Sequence, residues 1–179
     1  MSPNSRIPKK QYYLQIAKEV ASRSTCLSAH FGALVVKDDQ IISTGYNGAP
    51  RMTKDCYELG FCLRRKLGIP SGVQYELCRS VHAEQNAIIN AARAGVSLLA
   101  ADFYLYGERV LKDQEGFLRA YPCFICKKML LNAGIKHIYA NDEKGTLVEY
   151  SVEDWTKEWA KNDMIEDPQK YSANYQDRL

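Results

Sequence analysis

The 179-residue sequence has no apolar run that approaches the roughly 18 to 20 residues needed to span a membrane. Residues 1–13 lack the apolar segment of a secretory signal peptide. Neither sign of charge dominates, because the sequence has 24 Lys and Arg residues and 21 Asp and Glu residues, which gives a net charge of +3. We therefore expect a cytoplasmic protein that does not enter a membrane and does not present the strongly basic surface of a nucleic-acid-binding protein.

Internal repeats and low-complexity segments are also missing, and the length fits one domain at roughly 100 to 200 residues per domain. We expect a single domain over residues 1–160, followed by a polar tail, 161–179, that belongs to the same domain or to an interface. There is no Gly-rich loop of the kind that cradles phosphate. Six cysteines are present, and in a reducing compartment they are more often metal ligands, catalytic groups or buried thiols than disulfides.

Hydrophobic periodicity predicts an α/β fold with a mixed sheet. The predicted strands are 31–36, 40–46, 103–106, 136–140 and 146–151. The predicted helices are one that starts at Pro8, a short one at 58–66, one at 82–94 that stops at Gly95, one at 122–133 that stops at Gly134, and a last one capped by Ser151. The charged segment between Tyr106 and Tyr121 is longer than a strand-to-helix connection needs, which predicts either a flap or subunit contact, or a tolerated surface insertion.

Two short motifs at predicted helix starts carry the chemistry. The first is His82-Ala83-Glu84, and the second, Pro122-Cys123-Phe124-Ile125-Cys126, follows 41 positions after the histidine. Cys123 and Cys126 are three residues apart, so both sulfurs lie on one face of a first helical turn, where helix N-termini favour thiolates. One imidazole and two thiolates leave a fourth tetrahedral position open for water, as in catalytic zinc sites.

Glu84 lies two residues from the histidine, so it can exchange protons with that water rather than bind the metal. The Cys-x-x-Cys pair alone could equally be a pair of helix-start thiols or half of a zinc knuckle. The combined pattern, His-x-Glu followed by Pro-Cys-x-x-Cys, is typical of zinc-dependent deaminases.

From about Tyr13 to Ala140 the sequence resembles the cytidine and deoxycytidylate deaminase superfamily, and more closely its deoxycytidylate deaminases. Beyond the zinc motifs, the resemblance rests on segments 23–26, 32–37, 44–50, 78–88 and 132–136. It implies a three-layer α/β/α fold with a central five-stranded mixed sheet, zinc on His82, Cys123 and Cys126, and Glu84 as proton shuttle. It also implies the hydrolysis of dCMP to dUMP and ammonia, which supplies thymidylate synthesis, and a homo-oligomer, often a hexamer, activated by dCTP and inhibited by dTTP.

The family uses an asparagine in the loop after the second strand to bind the nucleoside sugar, which indicates Asn47, although this residue could simply form a turn beside Gly48. Ala83, between the two residues of the first motif, is the other predicted substrate contact. Arg51, Lys54 and Arg79 are candidates for the phosphate and Arg93 for an interface or effector contact, although each could be an ordinary surface charge.

Four further cysteines are not used by the predicted catalytic site: Cys26, Cys56, Cys62 and Cys78. Some deoxycytidylate deaminases carry a second, structural zinc near this region, often with histidine ligands, but no histidine occurs here between Phe31 and Val81. The four thiols therefore either bind a second zinc as a mostly cysteine site or remain buried free thiols.

Two other functions compete with dCMP deamination. One is deamination of another cytosine nucleoside or nucleotide. The other is a non-catalytic, zinc-stabilised regulatory module, although Glu84 argues against it because a structural metal site needs no proton shuttle. A polynucleotide substrate is disfavoured, since the mild charge does not indicate a basic groove lined by stacking aromatics.

Overall fold

The structure is a computed structural model and describes residues 6–112 and 114–161. The helices are α1 Lys9–Ala21, α2 Cys56–Leu59, α3 Leu63–Lys66, α4 Ala83–Arg93, α5 Phe124–Asn132 and α6 Val152–Trp159, with a 3-10 turn at Tyr75–Leu77. The strands are β1 Ala29–Lys37, β2 Gln40–Tyr46, β3 Asp102–Arg109, β4 Gly116–Phe117, β5 His137–Asn141 and β6 Leu147–Ser151. Within these residues, no helix is both long and apolar enough to cross a membrane. The tail predicted from 161 onward lies, beyond its first residue, outside the described part.

Five strands form one mixed sheet in the order β2-β1-β3-β5-β6. The β3–β5 pair is parallel, and the β1–β2, β1–β3 and β5–β6 pairs are antiparallel. The parallel pair is joined through α5, which is the crossover connection that parallel strands require. The predicted mixed sheet is therefore confirmed.

Alternate residues of β1 enter two separate cores, one on each face of the sheet, as the period of two along a strand demands. Ala33 and Val35 pack with residues of α4, α5 and α6. Leu34 and Val36 pack with α1 and with a group of buried tyrosines. Helices therefore cover both faces, and the three-layer α/β/α architecture is confirmed.

Two details differ from the sequence-based expectation. A sixth strand, β4, pairs with the end of β3, so much of the charged insertion is a hairpin that extends the sheet. The single helix predicted at 58–66 is wrong, because Gly60 adopts a left-handed conformation (φ +70°) that ends α2 after one turn. A capping box between Asp55 and Glu58 fixes the start of α2.

Candidate active site

The starts of α4 and α5 place the two motifs side by side. His82 is the N-cap residue of α4, and Cys123 is the N-cap residue of α5. Helix α4 lies so close to β2 that a Cβ atom on Gly45 would come within 2.4 Å of the Ala83 carbonyl oxygen. The close packing of α4 on the sheet therefore fixes where His82 stands.

The metal-binding atoms of His82, Cys123 and Cys126 all lie within 4.8 Å of one another. His82 Nδ1 is 3.5 Å from Cys123 Sγ and 3.4 Å from Cys126 Sγ. Within residues 6–112 and 114–161, no other group of three histidine, cysteine or acidic side chains converges in this way. One imidazole nitrogen and two thiol sulfurs are a donor set that suits zinc.

Hydrogen bonding makes the two thiols unequal. The hydrogen bond from Cys126, together with one from His82, lowers the pKa of Cys123 to about 4, although burial opposes the shift. The same contact raises the pKa of Cys126 above its ordinary value. Burial lowers the pKa of His82, but the hydrogen bond to Cys123 and the charge of Glu84 outweigh it, and the net pKa is raised. A thiolate, the form that binds metals, is thus already favoured at Cys123.

Glu84 lies in the first turn of α4 and is only 5% exposed. Burial raises the pKa of its carboxyl group, since the charged form loses its hydration. The side chain nevertheless lines the same cavity as His82 and Cys123. A buried carboxyl group that faces a cavity beside three metal-binding atoms can hold or release a proton there.

This cavity has a volume of about 450 Å³, within the range of small-molecule sites. Asn47 and Ala83 line it, as does Tyr75, whose ring packs edge-on against His82 at 4.8 Å. The Asn47 side chain accepts a hydrogen bond from the Phe31 N–H and donates one to the Ala29 carbonyl, so its position is fixed.

The predicted phosphate and effector residues lie elsewhere. Arg51 donates to Asn90, and Arg79 donates to the backbone carbonyl of Lys54. None of Arg51, Lys54, Arg79 and Arg93 is among the residues that line the large cavity, although Arg79 lines a smaller one.

Four other arginines line the large cavity, and sequence reasoning did not single them out: Arg64, Arg65, Arg109 and Arg119. They come from α3, from the end of β3 and from the segment before α5. The charged segment between Tyr106 and Tyr121 was a partial indication of these residues, because it contains both Arg109 and Arg119. Their meeting depends on tertiary pairing that the sequence does not show.

The four remaining cysteines, from separate stretches of chain, all line one small cavity of about 20 Å³ (Cys26, Cys56, Cys62 and Cys78). Burial raises the pKa of Cys26, and burial with the nearby Cys26 and Cys62 raises the pKa of Cys56 to about 11. Among the described residues, no three of these sulfurs converge as the donor atoms of the His82 group do.

Comparison with known proteins agrees with this site. Residues 7–141 match the family described as the cytidine and deoxycytidylate deaminase zinc-binding region. The chain is 34% identical over 139 residues to the deoxycytidylate deaminase of Mycobacterium phage D29, covering 75% of this chain and 94% of the relative. It is 30% identical over 139 residues to the deoxycytidylate deaminase of Schizosaccharomyces pombe, covering 77% of this chain and 38% of the relative. The chain therefore belongs to the cytidine and deoxycytidylate deaminase family, and its donor set fits zinc.

Two of the curated relatives, from S. pombe and Saccharomyces cerevisiae, are matched over less than two fifths of their own length. Among solved structures, the dCMP deaminase of cyanophage S-TIM5 in apo form has a TM-score of 0.54 at 23% identity, with 77% of this chain and 86% of the other covered. Cytidine deaminase from Burkholderia pseudomallei gives 0.52 at 18% identity, with 80% and 93% covered. These two structures establish the fold as that of cytidine deaminases.

Proposed function

We propose that this chain hydrolyses dCMP to dUMP and ammonia. The observation that carries the proposal is the buried carboxyl group of Glu84, which shares a cavity of about 450 Å³ with the converging donor atoms of His82 and Cys123. The relatives named deoxycytidylate deaminase support the choice of substrate. The dUMP formed would supply thymidylate synthesis in the cytoplasm.

In this proposal His82, through Nδ1, and the sulfurs of Cys123 and Cys126 hold the catalytic zinc. When bound, zinc would supply the Lewis acidity that makes a water molecule nucleophilic near neutral pH.

Glu84 moves the protons. It takes a proton from the attacking water and delivers it to ring N3 of the cytosine, which makes C4 electrophilic. It then takes the remaining proton from the oxygen now bound to C4 and passes it to the amino group, so that the C–N bond breaks, ammonia leaves and the carbonyl of uracil forms. Its burial supports this role, because a carboxyl group with a raised pKa accepts and returns a proton readily.

Asn47 and Ala83 orient the substrate. Asn47 is 8% exposed, and its amide is anchored to β1 by two hydrogen bonds, so it presents fixed polar atoms to a sugar hydroxyl. Ala83 is fully buried beside Glu84, and its small side chain leaves room for the base.

The proposal is tested by ammonia release from the zinc-loaded protein with dCMP, cytidine, dCTP and a cytosine-containing oligonucleotide as alternative substrates. Turnover of dCMP well above the other three is the expected result. Turnover of another substrate instead would make the chain a different cytosine deaminase. Failure with all four would leave a non-catalytic module or a different amino-heterocycle as substrate.

We further propose a second, structural zinc held by the four other cysteines, each of which lines the small cavity (Cys26, Cys56, Cys62 and Cys78). A volume of about 20 Å³ is enough for one small bound species. Binding would convert the four sulfurs to thiolates. Two zinc ions per chain in a fully loaded preparation is the expected count, and one would refute this site.

We also propose that the chain forms a homo-oligomer, such as a hexamer, regulated by dCTP and dTTP, with Arg93 at an interface or effector contact. The support is the family resemblance together with the exposure of Arg93 at the end of α4. Mass measurement in solution tests the assembly. Activation by dCTP and inhibition by dTTP in the dCMP assay test the regulation, and a monomer that ignores both nucleotides would refute it.

A further inference from the structure

Asn141, the last residue of β5, is a polar residue that is only 1% exposed. It lies just beyond the parallel pairing of β3 with β5, which ends at Leu105 and Ala140. Its side-chain amide continues the pairing. Oδ1 accepts a hydrogen bond from the Gly107 N–H at 2.8 Å, and Nδ2 donates to the Gly107 carbonyl at 3.0 Å. The asparagine thus offers β3 both a donor and an acceptor, as a peptide group would.

The same residue also holds the other side of the hairpin that β3 forms with β4. Asn141 Nδ2 donates to the Leu118 carbonyl at 2.8 Å, and the Asn141 backbone carbonyl accepts from the Ala120 N–H at 2.8 Å. Strand β4 has only two residues, so the strand pairing of the hairpin is short. Asn141 therefore fixes the chain both where it enters the hairpin, at Gly107, and where it leaves it.

The chain that leaves the hairpin leads directly to the metal-binding start of α5. Only Tyr121 and Pro122 separate Ala120 from Cys123, the N-cap residue of that helix. Ala120 and Pro122 are fully buried, and the proline ring restricts its own backbone rotation. Such a short and closely packed stretch cannot absorb a displacement, so a shift of the Ala120 backbone is passed on to Cys123.

The other contacts of this stretch are of a different kind. The Tyr121 ring packs edge-on against Tyr150 at 4.9 Å and against Trp155 at 6.1 Å. Ring contacts of this type tolerate small sliding motions, whereas a hydrogen bond depends steeply on distance and angle. Among the described residues, the bond from Ala120 to Asn141 is the one backbone hydrogen bond that ties residues 119–122 to the sheet.

We propose that Asn141 is a positioning residue for the metal site, because its amide and backbone carbonyl fix the start of α5, which carries two of the three donors. Among the described residues it makes no hydrogen bond to a donor side chain, so it acts through the backbone between Ala120 and Cys123. The inference rests on the zinc site of the proposed function, but it does not depend on the substrate. It adds to that site a residue that neither zinc motif contains.

The test is Asn141→Asp, which keeps the size of the side chain but places a carboxyl group against the carbonyls of Gly107 and Leu118. Asn141→Ala, which removes the amide without adding a carboxyl group, is the second variant. Zinc affinity is measured by competition with a chelator, without substrate, and only the zinc that Cys126→Ser removes is counted. Since residues that support metal ligands alter metal affinity by about 10- to 100-fold, we expect a loss of about 10-fold. Hydrogen exchange of the Ala120 amide should accelerate in both variants.

Two control variants separate positioning from a general loss of stability. Tyr13→Phe removes the 2.6 Å hydrogen bond from Tyr13 to Asp39, and Tyr13 belongs to the core on the α1 side of the sheet. Phe117→Ala loosens the hairpin at β4, where the ring packs edge-on against Tyr106, but leaves the contacts of Asn141 in place. Both controls should lower the thermal stability and leave the zinc affinity unchanged.

A loss of zinc affinity in both Asn141 variants, but not in controls of equal thermal stability, supports the positioning role whether or not the protein deaminates dCMP. Absence of dCMP turnover in the zinc-loaded wild-type protein would therefore overturn the proposed function and not this inference. Unchanged zinc affinity in the Asn141 variants, with or without faster exchange at Ala120, would refute the inference. An equal loss of affinity in Tyr13→Phe would also refute it, as would wild-type zinc binding that does not depend on Cys126.

Discussion

The two groups of cysteines are built on different kinds of backbone. Cys123 and Cys126 stand at the start of α5, a nine-residue helix, opposite His82 at the start of α4. The other four come from loops and single-turn helices between α1 and α4. The donor atoms of the first group converge within 4.8 Å, whereas the second group lines a small cavity and is not among the described donor sets that converge in this way.

The two groups therefore differ in how far the fold positions the donor atoms before a metal ion binds. Packed helices position the catalytic donors in advance, so metal binding there needs little rearrangement. The segment between β2 and α4 holds two single-turn α-helices and a 3-10 turn but no strand and no longer helix, so an ion there would add to the contacts that fix the chain. We therefore expect the first site to govern the proposed chemistry and the second to govern stability.

The largest expected effect is on chemistry. Glu84→Gln keeps the shape of the side chain but cannot accept a proton, so we expect kcat for dCMP to fall about 10²- to 10⁴-fold. Metal analysis should show an unchanged zinc content, because Glu84 is not one of the three converging ligands. Glu19→Gln, an exposed carboxyl on α1, is the control. Near-wild-type turnover of the Glu84 variant would remove the proton-shuttle role.

Cys56→Ser tests the second group of cysteines. We expect it to lose one zinc per chain and to unfold more easily by at least about 2.7 kcal/mol, the stabilisation given by a ligand at a hundred times its Kd. That corresponds to roughly 5 to 10 °C in Tm for a chain of this size.

Cys126→Ser is the matched variant for Cys56→Ser. It should also lose one zinc, but it should abolish activity, whereas Cys56→Ser should stay active at 25 °C. If both variants lose activity in proportion to their stability, the division between a chemical and a stabilising site is wrong.

The same contrast explains how much could be predicted from the sequence. Cys123 and Cys126 could be paired because their spacing on a helix gives a shared face, and the motif typical of zinc-dependent deaminases added His82. Periodicity predicted the mixed sheet, and the family resemblance supplied its three layers. The sequence offered the grouping of Cys26 with Cys56 as only one of two alternatives, since their long separation along the chain fixes no geometry.

The basic residues of the large cavity show the same limit. The sequence singled out Arg51, Lys54 and Arg79, whereas Arg109 lines the cavity because Ala29 on β1 pairs with it on β3. That register is a property of the folded sheet.

Gly45→Ala tests whether the packing of α4 sets the catalytic geometry. The added Cβ would lie 2.3 Å from the Ala87 nitrogen, so α4 must move, at a cost of about 1 to 3 kcal/mol. We expect a matching loss in thermal stability together with a clear fall in kcat. Gly32→Ala, which would meet the Ala17 carbonyl at 2.1 Å on the opposite face, should destabilise similarly and spare kcat. Equal losses of kcat would show that α4 has no special role.

The smallest expected effect concerns Arg64, which connects the large cavity with the small cavity lined by the four other cysteines. Arg64 lines both cavities, and its guanidinium lies 5.0 Å from the centre of the Tyr75 ring that packs on His82. Arg64→Gln loses this stacking and the hydrogen bonds to the loop carbonyls of Pro70 and Val73, so hydrogen exchange in residues 70–75 should accelerate.

Because Arg64 acts through Tyr75 and not on the substrate, we expect only a few-fold rise in the KM for dCMP, with kcat and zinc content unchanged. Lys66→Gln, an exposed charge on the same short helix, should alter neither exchange nor KM. Faster exchange with an unchanged KM would mean that the mobility of the segment between β2 and α4 does not affect substrate binding at the candidate active site.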